Sequence, residues 1–343
     1  MNNSALFLLF FLLITSCKSA KDNTTQSGSE TKFTVAFGSC NKLSIDNLLW
    51  DDISAQKPDV WIWGGDIVYA DTEDISKIRA KYDALKEVKG YRKLRKKANV
   101  IGTWDDHDYG LNDGGSDFPV KNESQQVFLD FLEVDSEHPR RSREGVYASH
   151  DYKVGDYSIR VIVLDTRFFR TSLTKDTLSE KKYRPNASKA GTILGETQWA
   201  WLTAQLNNSG AEFNLIVSSI QFLSNRHGFE AWANFPWEVE KLNKIIGSSG
   251  AKGVMILSGD RHISEFSRTT PEGCSYPLID FTSSGLTHAY SNFSGEDNPY
   301  RVGDVVARES FGLVTLNLQS GEAMFQMIGD KGEVLGGLHQ KYK

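Results

Sequence analysis

A chain of 343 residues, 39% apolar and 24% charged, is long enough for one large packed domain or two modest ones and has the balance of a globular protein. Its net charge of −5 excludes the basic character of a nucleic-acid binder, and no stretch pairs a basic patch with aromatic platforms. Eight Trp and nineteen Phe are enough for a large core and an aromatic-rimmed pocket.

Residues 6–14 form an unbroken apolar run, too short to span a membrane and placed like the core of a signal peptide. The run ends Ile14-Thr15-Ser16-Cys17, which resembles the bacterial lipobox, whose Cys is lipidated and becomes the new N-terminus. The absence of Lys and Arg from the first sixteen residues departs from the usual charged start. The expectation is a lipoprotein signal peptide over 1–17, with Cys17 anchoring the protein to a bacterial membrane, periplasmic or surface-facing. Residues 18–32 are polar and without period, as in a flexible tether. Residues 33–343 are expected to form a single domain.

From Phe33 the pattern alternates strand and helix. Residues 33–37 predict a strand ending in Gly38-Ser39-Cys40, and 44–55 a helix. Residues 59–63 predict a buried strand ending in Gly64-Gly65-Asp66. The apolar spacing of Ile75, Ile78, Tyr82, Leu85 and Val88 predicts helix within 73–97, broken at Gly90. A strand over 99–104 leads into Gly102-Thr103-Trp104-Asp105-Asp106-His107-Asp108-Tyr109-Gly110-Leu111-Asn112-Asp113. Helix follows over 123–134, then a hairpin of 147–152 and 157–164 turning at Val154-Gly155-Asp156 and ending in Asp165-Thr166-Arg167. A polar loop, a helix through Trp199 and Leu206, a strand over 213–220 and a helix over 238–246 come next. The strand 253–257 ends in Gly259-Asp260-Arg261-His262, and from Gly312 the alternation reads as strands and hairpins.

Five predicted strands thus end in polar residues, and in an α/β sheet the loops at carboxyl ends of strands converge on ligands. Any one of these motifs alone is an ordinary turn or a helix-capping loop. Together they suggest a shared site for more than one metal ion, because crowded carboxylates need a counter-charge. Gly before Asp66 and before Asp260 is expected to let the backbone turn sharply.

Phe37-Gly38-Ser39-Cys40, Gly65-Asp66-Ile67-Val68-Tyr69, Trp104-Asp105-Asp106-His107-Asp108, Leu164-Asp165-Thr166-Arg167 and Gly259-Asp260-Arg261-His262 resemble, in order, the motifs of the PhoD-like (alkaline phosphatase D) metallophosphatases. The resemblance covers about residues 33–285. It implies a four-layer α/β/β/α sandwich of the calcineurin-like type and a centre holding Ca2+ and Fe3+. Cys40 and Tyr69 match the iron ligands, Asp66 the carboxylate shared between metals, and Asp260 and His262 the ligands from the last strand. Asp106 and Asn112 are the remaining candidates, with Asp113 an alternative, because Asp108 stands where the best-known members have Glu and their Asn ligand is spaced differently. The chain also lacks the β-domain that some members carry ahead of Phe37 and ends in strands, not a capping helix. A more open site is the expectation.

The implied activity is hydrolysis of phosphate esters, diesters and monoesters alike, by a metal-activated hydroxide. Arg167 is the candidate clamp for non-bridging oxygens, with a structural ion pair as the alternative. His107 is a candidate leaving-group acid or a partner of a metal ligand. Gln221, His227, Glu230 and Trp232 could shape the substrate pocket. No phosphate-cradling G-x-x-x-x-G-K-[ST] loop and no G-x-S-x-G elbow occurs. Sulfate-ester hydrolysis is the same-class rival, since a sulfate monoester and a phosphodiester are both tetrahedral and singly charged. A binding lipoprotein without turnover is the other. Cys40 is expected to be a ligand and not half of a bridge to Cys274.

Overall fold

Buried apolar runs and amphipathic segments alternate along the chain, and most become the element their pattern requires. The computed structural model describes residues 31–187, 189 and 191–343; Cys17, the expected signal peptide and the tether up to residue 30 lie outside them. The first part runs β1 (Lys32–Gly38), α1 (Trp50–Ala55), β2 (Val60–Gly64), α2 (Ile75–Glu87), α3 (Lys89–Leu94), β3 (Asn99–Thr103), α4 (Asp106–Tyr109) and α5 (Lys121–Phe131). The hairpin β4 (Ala148–Val154) and β5 (Tyr157–Val163) follows, then the short pair β6 (Thr174–Lys175) and β7 (Tyr183–Arg184). The chain continues through α6 (Gly195–Asn207), β8 (Phe213–Ser218), α7 (Pro236–Ser248), β9 (Val254–Ser258), β10 (Ser264–Thr269), β11 (Leu278–Ser283) and β12 (Arg301–Val306). It closes with β13 (Phe311–Asn317), β14 (Glu322–Ile328) and β15 (Val334–Lys341).

Two sheets carry the domain. The first has the order β15-β14-β13-β1-β2-β3, with β1, β2 and β3 parallel and the last three strands an antiparallel meander. The second has the order β12-β10-β11-β9-β8-β5-β4, in which β5, β8, β9 and β11 run parallel. All five residues of β2 are buried, as a parallel strand covered on both faces requires. Successive side chains on a strand alternate faces. Trp61 and Trp63 therefore pack with α1, α2, α3 and α5 in one core cluster, while Val60 and Ile62 meet Val161, Val163, Leu215 and Leu257 of the second sheet in another. Ile162, Ile216 and Ile256, on the second sheet's far face, pack with Trp199, Leu202, Leu242 and Ile246 of α6 and α7.

Two expectations shift. Helix forms only from Trp50, because the Asn47 side chain accepts the Leu49 amide at 2.9 Å and donates to Asn41 at 3.1 Å, holding the preceding residues in turns. The break in the long helical region falls at Val88 and not at Gly90. Gly90 lies inside α3, where a Cβ would come within 2.3 Å of Trp50 Cβ, so close packing is its reason.

Candidate metal centre

The parallel strands of both sheets finish at one place, and the residues just past their ends form the site. A Cβ on Gly65, at φ +95°, would meet Asp105 Cβ at 2.5 Å and Ser219 Cβ at 3.0 Å. Gly259 answers to a different constraint from the expected turn: its φ is ordinary, but a Cβ would lie 2.5 Å from Gly64 O and 2.7 Å from Ser39 Oγ. Both glycines therefore let the ends of the two sheets touch. Beyond them, Cys40 (φ 59°), Asp66 (φ 51°), Asp260 (φ 70°) and His262 (φ 54°) all occupy the left-handed region. For Cys and His that conformation costs on the order of 1 kcal/mol or more each, and such strain gathers at functional sites.

Three overlapping groups of side chains result, each with ligand atoms within 4.8 Å of one another: Cys40, Asp66 and His262; Asp66, Asp106 and His107; Asp105, Asp106 and Asp260. Asp66 and Asp106 are the shared members. Cys40, Asp66, Asp105 and Asp106 are buried, whereas Tyr69, His107, Asp260 and His262 are partly exposed and form the mouth. Tyr69 donates to Asp66 Oδ2 at 3.1 Å and its ring lies 4.2 Å from that of His107. The Cys40 thiol lies 3.4 Å from Asp66 Oδ2 and 3.0 Å from Ser284 Oγ, and Cys40 and Cys274 are both free thiols.

The electrostatics call for cations. Burial, then the Cys40 thiol and Asp106, push the Asp66 carboxyl well above the usual range. Burial and the neighbouring Asp105 and Asp106 do the same to Asp260. Burial lifts Asp105 to about 7 despite Arg167, and lifts the Cys40 thiol to about 12. Asp66 Oδ1 and Asp105 Oδ2 are buried without a hydrogen-bond partner. Unpaired buried carboxylate oxygens are costly, and a thiol, a phenol, imidazoles and carboxylates together form a donor set that bound metal ions satisfy. The residues fit the group.

Other acids in the motifs are fully engaged by the chain. Asp108 accepts from the Asp105 amide at 2.6 Å, the Ile67 amide at 3.1 Å and Tyr82 at 3.3 Å, so it ties the loop after β2 to the loop after β3. Asp165 accepts from Trp104 Nε1 at 3.0 Å and from the amides of Val146, Arg167 and Phe168 at 2.8 to 2.9 Å. Asn112 is exposed on the turn after α4. The carboxylate of Asp113 is bound by Lys182 and, at 2.8 Å, by Tyr183.

Three expected substrate contacts, Arg167, Trp232 and His227, lie elsewhere. Arg167 is wholly buried: Nε donates to Asp105 Oδ1 at 2.6 Å and a terminal nitrogen to Glu230 Oε2 at 2.6 Å, so the clamp is an internal ion pair. Arg170 meets the other oxygen of Glu230 at 2.9 Å. Trp232 is also wholly buried, donating to Ser218 Oγ at 3.0 Å and packing on Trp199 and Phe222; it belongs to the core. His227 lines a separate cavity of 300 Å3 with Lys181 and Asn225. His107 Nδ1 donates to Asp71 Oδ1 at 2.6 Å, and although burial opposes it, that carboxylate and Asp106 raise the imidazole's pKa.

Reading the sequence did not single out Asp105 as a ligand, Ser284 beside the thiol, or Glu230 as the anchor of Arg167. Asp105 stands in the same Asp-rich motif as Asp106, whereas Glu230 lies 63 positions from its partner and no local pattern marks it.

Comparison with known proteins follows the same line. The family model of PhoD-like phosphatases matches residues 35–299. Alkaline phosphatase D of Bacillus subtilis (strain 168) is 24% identical over 215 residues, which are 54% of this chain and 36% of that protein. The chain thus spans about a third of the length of that curated relative. A solved structure of PhoD superposes with a TM-score of 0.72 at 17% identity, covering 90% of this chain and 68% of the other. GAP50, described as the anchor in the inner membrane complex of Plasmodium, gives 0.59 at 14% identity over 91% and 89%. At these identities the two structures speak for the fold alone.

Proposed function

Because this chain belongs to the PhoD-like phosphatase family, we propose that it is a metal-dependent hydrolase of phosphate esters. The observation that carries the reading is the convergence of the three overlapping ligand groups at the carboxyl ends of strands from both sheets, with carboxylate oxygens of Asp66 and Asp105 left unpaired. The succession of helices, sheet, sheet and helices in the three core clusters supports the four-layer arrangement of calcineurin-like enzymes.

Cys40, Tyr69, Asp66 and His262 would hold an Fe3+, and Asp66, Asp105, Asp106 and Asp260 a Ca2+ beside it, with Asp66 common to both. Bound metal ions supply Lewis acidity, lowering the pKa of water and offsetting charge on phosphorus oxygens. The chain's own residues do the rest. Arg167, pinned by Asp105 and Glu230, fixes the orientation of Asp105 and does not touch substrate. His107, kept protonated more readily by Asp71 and Asp106, stands at the mouth where a leaving oxygen would need a proton.

Sulfate esters are the alternative substrates on the same donor set, and a binding lipoprotein without turnover the alternative of another class. Turnover of p-nitrophenyl phosphate, its bis-ester and p-nitrophenyl sulfate separates the three: phosphate-ester hydrolysis is the expected result, sulfate turnover alone favours the first rival, and no turnover the second. The proposed location is a bacterial membrane surface, through lipid on Cys17. Cys17→Ala should release the protein from the membrane fraction, and continued membrane association would count against the anchor.

A further inference from the structure

At the end of β3 away from the metal centre, a cavity of 460 Å3 opens between the free edges of the two sheets, lined by Asn99 to Ile101 of β3 and by His150 of β4. Val100, Ile101, Leu132 and Val134 give it an apolar wall. Arg140, only 7% exposed, lines it too. Of the five N–H donors a guanidinium carries, one is committed, to Val146 O at 2.6 Å. Nε is buried without a partner, and among the described residues no carboxylate forms an ion pair with Arg140.

The contrast with the other buried arginines is direct. Arg167 has Asp105 and Glu230, and Arg170 has Glu230. Arg261 has Glu296, and the half-buried Arg141, next in sequence, has Asp130. Of the acids that line the cavity, Glu133 pairs with Arg95, which lines it too, and Asp135 Oδ1 accepts the Glu137 amide at 2.8 Å in an exposed turn; neither pairs with Arg140. Burial, then Arg143 and Arg141, push the Arg140 guanidinium down to about 10. His138 adds a donor. Its Nδ1 accepts the Arg140 amide at 3.1 Å, so in the neutral ring the proton sits on Nε2. A buried cation without counter-charge is costly, and none of the described carboxylates pairs with this one.

We propose that this cavity is a second binding site, for a small organic anion whose oxyanion sits on Arg140 and whose apolar body lies against Val100, Ile101 and Leu132. The planar fork of a guanidinium suits the paired oxygens of a carboxylate or a phosphate edge, and His138 supplies a further donor at the rim. The site is separate from the metal centre, and its existence does not rest on the hydrolase reading.

Titration calorimetry of the full chain with phenylacetate and with phenylphosphonate, at fixed ionic strength, tests this. The wild type should bind at least one of the two saturably outside the metal centre. Arg140→Met should weaken that event roughly tenfold or more, with hydrolysis of the bis-ester unchanged. Leu132→Glu, which places a carboxylate within the cavity while keeping the guanidinium, should do the same and carries the test if the arginine variant fails to fold. Equal affinity in the wild type and Leu132→Glu, or no binding of either probe beyond the metal centre, overturns the proposal.

Discussion

Two groups of buried acids lie side by side in this protein and are treated in opposite ways. Glu230 and one oxygen of Asp105 are closed off by Arg167 and Arg170, and Asp165 and Asp108 by backbone amides and ring or phenol donors. One oxygen of Asp66 and the second oxygen of Asp105 are left open, and burial raises the pKa of both residues. The difference separates scaffold from site. An acid that the chain neutralises for itself holds loops in place, and an acid that it leaves buried and unpaired is available to a metal.

Breaking the open group, or Asp260 grouped with it, should have the largest effect. Asp66→Asn and Asp260→Asn are each expected to lower turnover roughly a thousandfold or more, several kcal/mol of charge stabilisation, with bound metal falling in parallel. Retained turnover in metal-poor protein would separate the acids from the chemistry.

The closed group should answer in stability. Arg167→Met leaves Asp105 buried without its cation and Glu230 with Arg170 alone, and is expected to cost about 3–5 kcal/mol of folding free energy, read from denaturant midpoints. A substrate clamp would behave in the reverse manner, losing kcat/KM with the midpoint unmoved.

A smaller effect concerns pH. Burial, then Arg261 and Lys181, push His227 down from the ordinary 6.5 to about 3. Between those values the unfolded chain binds the proton and the folded chain does not, so this contribution to stability is full above pH 6.5 and is lost as pH falls toward 3. His227→Gln should flatten that part of the stability profile, and superimposable profiles would show that His227 titrates normally.

The smallest expected effect is at Asn112. Exposed on its turn, it should tolerate Asn112→Ala with stability changed by less than about 0.5 kcal/mol and metal content unaltered; loss of metal would restore it as a ligand.

Much of this was legible from the chain because the site is built at strand ends. Gly-Asp and Gly-Ser-Cys after apolar runs report both the end of a strand and the residue placed there, so Cys40, Asp66 and Asp260 could be read locally. The alternation of strand and helix through β1, β2 and β3 was likewise readable from the apolar pattern. What was not legible depends on distance. Nothing near Arg167 in sequence says that Glu230 will neutralise it, so a buried pair and a substrate clamp look alike. Trp232 reads as a pocket residue because it stands in an aromatic loop, and only the packing of Trp199 and Phe222 around it shows that it is core. The turn ahead of α1 was missed because the Asn47 side chain outcompetes the helix there.

The central claim is that the open acids hold the metal on which hydrolysis depends. Its most direct test follows bound metal per chain and turnover of bis-p-nitrophenyl phosphate together, through chelation and re-addition of Ca2+ and iron. Both should fall in step in the wild type and return in step, while Asp66→Asn recovers neither. Undiminished turnover in protein stripped of metal would contradict the account.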